Sequence, residues 1–288
     1  MIIEKDVSLK EYTTLGCGGR ACFFALVENV SELKEALAFA KDKKIPFISL
    51  GKGSNTLFSD KGYHGLVILN KIHYIQNTDN KFLVSSGYSF SLLGAQSSKL
   101  GYKGLEFAAG IPASVGGAVY MNAGANGCET KDCLTKVSVI DHQGSLKTYS
   151  RDELTFSYRY SSFQKMAAVI FEAEFELQSC LQARKRQLEI LSHRTQTQPY
   201  SCKSAGCFFK NPIGISAGAL IDKCGLKGLC VGDAEVSKLH ANFIVNKGLA
   251  SSEEILSLAH LVRQKVLDQT GIALEMEVKQ VPYNEVAL

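Results

Sequence analysis

The feature that most constrains this chain is the run GLEFAAGIPASVGGAVYMNAGANG over residues 104–127. Glycine inside a helix or strand costs roughly 0.5–1 kcal/mol relative to alanine. A stretch so rich in it reads as loop rather than as a long regular element. Its small residues let the backbone approach a ligand, or another backbone, closely. A shorter stretch of the same kind, Gly51-Lys52-Gly53-Ser54-Asn55, follows the apolar run IPFISL. Two such loops need regular elements on either side to hold them.

Those elements can be read along the chain. Ser31 is placed to cap the helical run SELKEALAFAKDKK, with Leu33, Leu37 and Ala40 on one face. IPFISLG, GLVILN and KFLVSSG read as short strands, and SLLGAQSSKLG as a helix ended by Gly101. KVSVID, LKTYS and AVIFEAEFEL then read as strands of a sheet. CLQARKRQLEILSHR reads as a basic helix joining two domains. After a further glycine-rich loop, SAGCFFKNP, come a helix over SAGALIDKCG and a strand over HANFIVN. The run SSEEILSLAHLVRQKVLDQTG is a helix capped by Ser251 or Ser252 and ended by Gly271, with Glu253 and Glu254 in its first turn. IALEMEVKQV alternates apolar and polar residues and predicts a last strand. The 288 residues suit two domains, and the alternation of helix and strand in the first part fits an α/β or an α+β class.

Charge and cysteine content exclude several functions. The formal net charge is only +4, with no basic stripe of the kind that binds nucleic acid. Charged residues stand within the first few positions, MIIEKD, so no secretory signal is read. No long uncharged apolar run offers a membrane span. The nine cysteines, an odd number without ligand spacing, predict reduced thiols in a cytoplasmic protein and no metal.

The nucleotide-binding loops of known pattern fail here. Gly51 and Gly53 begin a GxG after a strand, but Thr56 stands where a Rossmann fingerprint needs its third glycine. No GxxxxGK[ST] string occurs. Runs of small residues can still form nests of backbone N–H groups that hold phosphate oxygens. Two of them point to a dinucleotide bound by another route.

The strings TTLGCGGRA (13–21), SLGKGSNTLFSD (49–60) and AAGIPASVGGAVYMNAGANG (108–127) resemble the flavin-binding half of the UDP-N-acetylenolpyruvoylglucosamine reductases. FSYRYSSF (156–163), SAGCFFKNP (204–212), the segment 217–246 and LEMEV (274–278) resemble that family's later motifs, in the same order along the chain. The resemblance implies an FAD-binding domain of the vanillyl-alcohol oxidase type over 1–180. It implies a smaller α+β substrate-binding domain over 181–288, whose last strand returns toward the active site. It also implies the shorter family type, without an extra tyrosine-bearing loop, and a monomer that acts on a small molecule.

The implied reaction reduces the enolpyruvyl ether of UDP-N-acetylglucosamine enolpyruvate, with FAD as cofactor and NADPH as co-substrate. Gly51, Lys52, Gly53, Ser54 and Asn55 would hold the flavin diphosphate. Gly110, Ile111, Pro112, Ala113, Ser114, Gly116 and Gly117 would line the other side. Arg159 matches the arginine at the enolpyruvyl carboxylate, a task suited to the fixed, always charged guanidinium fork. Glu277 matches the acidic residue that acts with it, with Glu275 as the competing choice. Met276 stands where the family usually has proline. Cys207 stands where the family usually has a serine proton donor, and an unperturbed thiol, with a pKa near ~8.5, can serve while protonated. Tyr158, Lys210 and Asn211 resemble substrate contacts. A non-catalytic flavin module and an FAD-dependent alcohol oxidase are the other classes compatible with the loops.

Overall fold

The computed structural model describes residues 1–284. It divides into two compact units that do not follow the expected cut after residue 180. The first comprises residues 1–4, 23–52 and 65–194. The second comprises 5–22, 53–64 and, of the described residues, those from 195 to 284. The N-terminal half of the sequence thus supplies two short pieces to the second unit, and the boundary between 52 and 53 falls inside the first glycine loop.

In the first unit, the strand Phe47–Leu50 runs parallel to residues 66–69. Helix α1 (Val30–Asp42) buries Leu33, Ala36, Leu37 and Ala40 among Leu66, Ile68 and Phe171. Its cap is Asn29 rather than Ser31, because the Asn29 side chain accepts from the Glu32 N–H. A five-stranded antiparallel sheet has the order Leu146–Ser150, Leu134–Asp141, Ala168–Glu176, Lys81–Ser85, Ile75–Thr78. Helix α2 (Phe90–Lys99) packs beside it and ends just before Gly101, as its sequence predicts.

The glycine-rich run is not loop throughout. Ser114 caps a seven-residue helix, α3 (Val115–Met121), by accepting from Gly117 N–H. The helix closes on Asn122, which is left-handed at φ 44°. Gly116 is tolerated because its position faces Ser86, where an added Cβ would lie 2.8 Å from the serine Cβ. Helix α4 (Ala183–Thr197) carries the chain from one unit into the other in sequence.

The second unit has a four-stranded sheet in the order Lys203–Cys207, Phe243–Asn246, Ala234–Val236, Cys230–Val231. SAGCFFKNP is therefore half strand, a difference from the expected loop. Gly206 takes φ 77° where the register shifts between Ser204 and Cys207. Helices α5 (Ala217–Lys223) and α6 (Ser252–Thr270) contribute to its core. Ser251, not Ser252, caps α6 in a reciprocal box with Glu254. Ile255, Leu258, Ala259, Val262 and Val266 are buried, each large side chain adding roughly 1.5–3 kcal/mol of hydrophobic stabilisation. The expected strand over IALEMEVKQV is shorter than its alternation suggests. Met276 makes one bridge with Phe209, and only Lys279–Val281 forms a ladder, parallel to Thr56–Phe58.

Candidate active site

The two glycine loops use their backbones differently. At Gly51 an added Cβ would lie 2.2 Å from Ser114 Oγ, and at Gly53 it would lie 2.0 Å from the Tyr12 carbonyl oxygen. Both glycines are thus required by close approach, and Gly53 also by φ 63°. Among the described residues, the N–H groups of Lys52, Gly53 and Ser54 donate to no protein acceptor. In the other loop all but one of the donors, the Ser114 N–H, are spent. Gly110 N–H donates to Ser91, Ile111 to Ala108, Ala113 to Ile111, Val115 to Tyr88, Gly116 to Ser86 and Gly117 to Ser114. That loop can offer a ligand surface and shape, while the first offers donors.

The ammonium of Lys52 donates to Ser89 Oγ at 2.9 Å. Partial burial, and then the charge of Lys71, push its pKa below the ordinary lysine value. Two cations close enough to repel each other suit a diphosphate. The loop donors, the Gly51 approach and Lys52 fit the flavin nucleotide, and these residues would hold it. Lys71 is a residue that sequence reading missed, since nothing local distinguishes it from any exposed lysine.

Also in the first unit, Phe156–Ser157 and Tyr160–Ser161 form a hairpin whose two-residue turn is Tyr158-Arg159. Arg159 has φ 57°, a conformation that costs a residue with a Cβ roughly 1–2 kcal/mol. Such strain persists where surrounding contacts impose it, and it collects at functional positions. The guanidinium lies over the Tyr158 ring, 4.9 Å from its centroid. Hydrogen bonds from Lys131 and Asn122, with the charges of Lys131 and Arg159, draw the Glu129 pKa below the ordinary carboxylate value against the effect of its own burial.

In the second unit, Cys207 ends its strand and pairs with Phe243. The chain then runs beside the C-terminal motif. Glu277 N–H donates to the Phe208 carbonyl at 2.9 Å, and Lys210 N–H to the Glu275 carbonyl at 2.8 Å. This pairing brings Cys207, Glu277 and Lys210 together on neighbouring segments. It also separates the two glutamates. Glu275 is exposed and forms an ion pair with Lys210, whereas Glu277 is half-buried. Asn55 Nδ2 donates to the Glu277 carbonyl at 3.4 Å. The Asn211 side chain accepts from Ala217 N–H at 3.0 Å, at the start of α5.

Asn242 fixes this corner and was not foreseen. Its side chain is 2 % exposed and exchanges two hydrogen bonds with the backbone of Phe209, while its carbonyl accepts from Phe208 N–H. Three bonds from one buried residue set the direction of the segment after Cys207.

Of the other cysteines, Cys17 and Cys133 are buried and Cys202 and Cys230 are exposed. All nine are free thiols. Burial, with Asp60 nearby, pushes Cys17 up to about 12, which keeps it protonated and unreactive. Among the described residues, no group of three or more His, Cys, Asp or Glu side chains is placed to hold a metal. None of their helices is long and apolar enough to cross a membrane.

Residues 198–281 match the family model described as the C-terminal domain of UDP-N-acetylenolpyruvoylglucosamine reductase, and residues 22–150 match an FAD binding domain. A UDP-N-acetylenolpyruvoylglucosamine reductase of Protochlamydia amoebophila is 49% identical over 282 residues, covering 98% of this chain and 94% of that protein. One from Chlamydia muridarum is 47% identical over 284 residues, covering 98% and 95%. The crystal structure of the Thermus caldophilus enzyme is similar with a TM-score of 0.84 at 40% identity, covering 98% of this chain and 100% of that one.

Proposed function

The chain belongs to the UDP-N-acetylenolpyruvoylglucosamine reductase family, and from that premise we propose which of its residues carry the reaction. It is an FAD-containing oxidoreductase of peptidoglycan synthesis, and its substrate is the enolpyruvyl sugar nucleotide. When bound, FAD supplies a carrier that accepts a hydride from NADPH and delivers one to the substrate β-carbon. Addition there drives the electron pair of the double bond onto the α-carbon and its carboxylate.

Arg159 binds that carboxylate and stabilises the charge as it develops. The Cys207 thiol gives its proton to the α-carbon, which leaves the lactyl ether, and the thiolate is reprotonated from solvent. Glu277 supports the proton transfer, and the ion pair of the exposed Glu275 with Lys210 favours Glu277 over it for this part. Lys210 serves the substrate only by exchanging that partner, so its contribution is smaller than that of Arg159. Tyr158 and Asn211 bound the substrate region. The enzyme works in the cytoplasm, as a monomer. The observation that most supports this reading is the pairing of Phe208–Lys210 with Glu275–Glu277, which puts a thiol and a half-buried carboxylate on adjacent segments.

Reduced enzyme is mixed with UDP-N-acetylglucosamine enolpyruvate in a stopped-flow cell, and flavin reoxidation is followed. Cys207→Ser is expected to retain substantial turnover. Cys207→Ala is expected to lose at least about 100-fold in reoxidation, in line with the usual range for general acid catalysis, and to keep its reduction by NADPH. Wild-type reoxidation in Cys207→Ala would remove the thiol from the mechanism.

A further inference from the structure

Arg159 occupies a backbone conformation that its own side chain disfavours, so something outside the turn must impose it. Two carboxamides from outside the hairpin bind its carbonyls. Asn122 Nδ2 donates to the carbonyl of Ser157, the residue before the turn, at 3.0 Å. Gln164 Nε2 donates to the carbonyl of Arg159 itself at 3.1 Å. The peptide groups on both sides of the turn are thereby held from outside the hairpin.

Both carboxamides are tied to the same end of α3. Asn122 is its left-handed C-terminal residue and is fully buried. Its side chain also donates to Glu129 at 3.0 Å and accepts from Lys131 N–H at 3.1 Å. Gln164 Nε2 also donates to the Tyr120 carbonyl at 3.1 Å, and Ser161 Oγ donates to that carbonyl at 2.6 Å. Carbonyls in the last turn of a helix have no partner within it, and here the arginine hairpin supplies one. The opposite end of α3 is Ser114, whose hydroxyl is what keeps residue 51 a glycine.

We propose that Gln164 and Asn122, both bound to the C-terminal end of α3, are positioning residues that hold Arg159 in its left-handed turn. Gln164 acts on the substrate half of the reaction through the direction of the Arg159 guanidinium and makes no contact of its own with the reacting atoms. The inference rests on the reading of Arg159 as the carboxylate-binding residue.

A double-mutant cycle on the holoenzyme tests it, with flavin reoxidation by UDP-N-acetylglucosamine enolpyruvate as the readout. FAD content, melting temperature and flavin reduction by NADPH are measured alongside. Gln164→Leu is expected to slow reoxidation about 10-fold, and Gln164→Lys, which keeps N–H donors, to recover most of that loss. In an Arg159→Lys background the same Gln164→Leu change is expected to cost less than about 2-fold, because residues acting through one another are not additive. Asn122→Gly, which keeps the left-handed backbone and deletes the amide, is expected to follow Gln164→Leu. A full 10-fold loss in both backgrounds, or none in the wild type, overturns the positioning role while Arg159→Lys remains crippled. Undiminished reoxidation in Arg159→Lys itself overturns the reading of the arginine and takes this inference with it.

Discussion

The two glycine-rich loops are alike in composition and unlike in what their backbones do. Around Gly53 three successive N–H groups, those of Lys52, Gly53 and Ser54, have no acceptor among the described residues. Between Gly110 and Gly117 the corresponding groups, that of Ser114 apart, are taken up by Ser86, Tyr88, Ser91, Ala108, Ile111 and Ser114. Glycine in both loops marks a close approach. In the first loop the approach leaves donors for a ligand, and in the second it closes a short helix against its own domain. Composition alone makes both loops phosphate nests, whereas the hydrogen bonds separate them into one with three successive open donors and one whose donors, Ser114 apart, are taken up by the protein.

The largest effect expected from breaking this contrast is at Gly53. Alanine there must adopt a left-handed φ with its Cβ against a backbone oxygen of Tyr12. A destabilisation of about 3 kcal/mol or more follows, with a fall of roughly 10 °C in melting temperature, together with loss of FAD. Melting of apoprotein and holoprotein measures both, and an unchanged melt would show that the loop is free to move.

Gly116→Ala should cost less, about 1–2 kcal/mol. Its nearest obstacle is the Cβ of Ser86 at 2.8 Å, which a small shift of α3 relieves. FAD affinity measured by flavin fluorescence should fall less than in Gly53→Ala. The reverse order would make the second loop the main cofactor holder and invert the comparison.

Lys52→Met sharpens it in a different way. The ammonium is held below its ordinary pKa by partial burial and by Lys71, so its removal should leave the melting temperature of the apoprotein within about 2 °C. FAD affinity should drop about 10-fold and lose part of its salt dependence, while FMN, which has no diphosphate, should be affected less. Equal losses for both flavins would place Lys52 away from the diphosphate.

The smallest change expected is in Ser114→Ala. Losing the cap of α3 should cost about 1 kcal/mol, seen in the melt, with FAD affinity altered less than about 2-fold. A large loss of FAD there would mean that the serine itself serves the cofactor.

Much of the fold was legible because its signals are local. The box at Ser251 and Glu254, the stop at Gly271 and the apolar face of α6 all lie within a few residues of one another. Alternation failed at IALEMEVKQV because a single bridge and a register set by Phe208–Lys210 replaced the ladder. The helix over Val115–Met121 was hidden by its two glycines, although Ser114 before it and an asparagine after it are ordinary cap residues.

The candidate site divides in the same way. The residue types available for the chemistry can be read straight from the chain: an arginine in YRYS, a thiol in SAGC, carboxylates in LEMEV and glycines at 51 and 53. The tertiary structure alone decided which of them are occupied. Lys210 meets Glu275 across 65 positions, Asn242 fixes Phe209 across 33, and Asn122 reaches the Arg159 turn across 35. Caps and periodicities act within one or two turns of chain. Partners separated by this much chain meet only after sheets and helices have closed, so no window of sequence could report them.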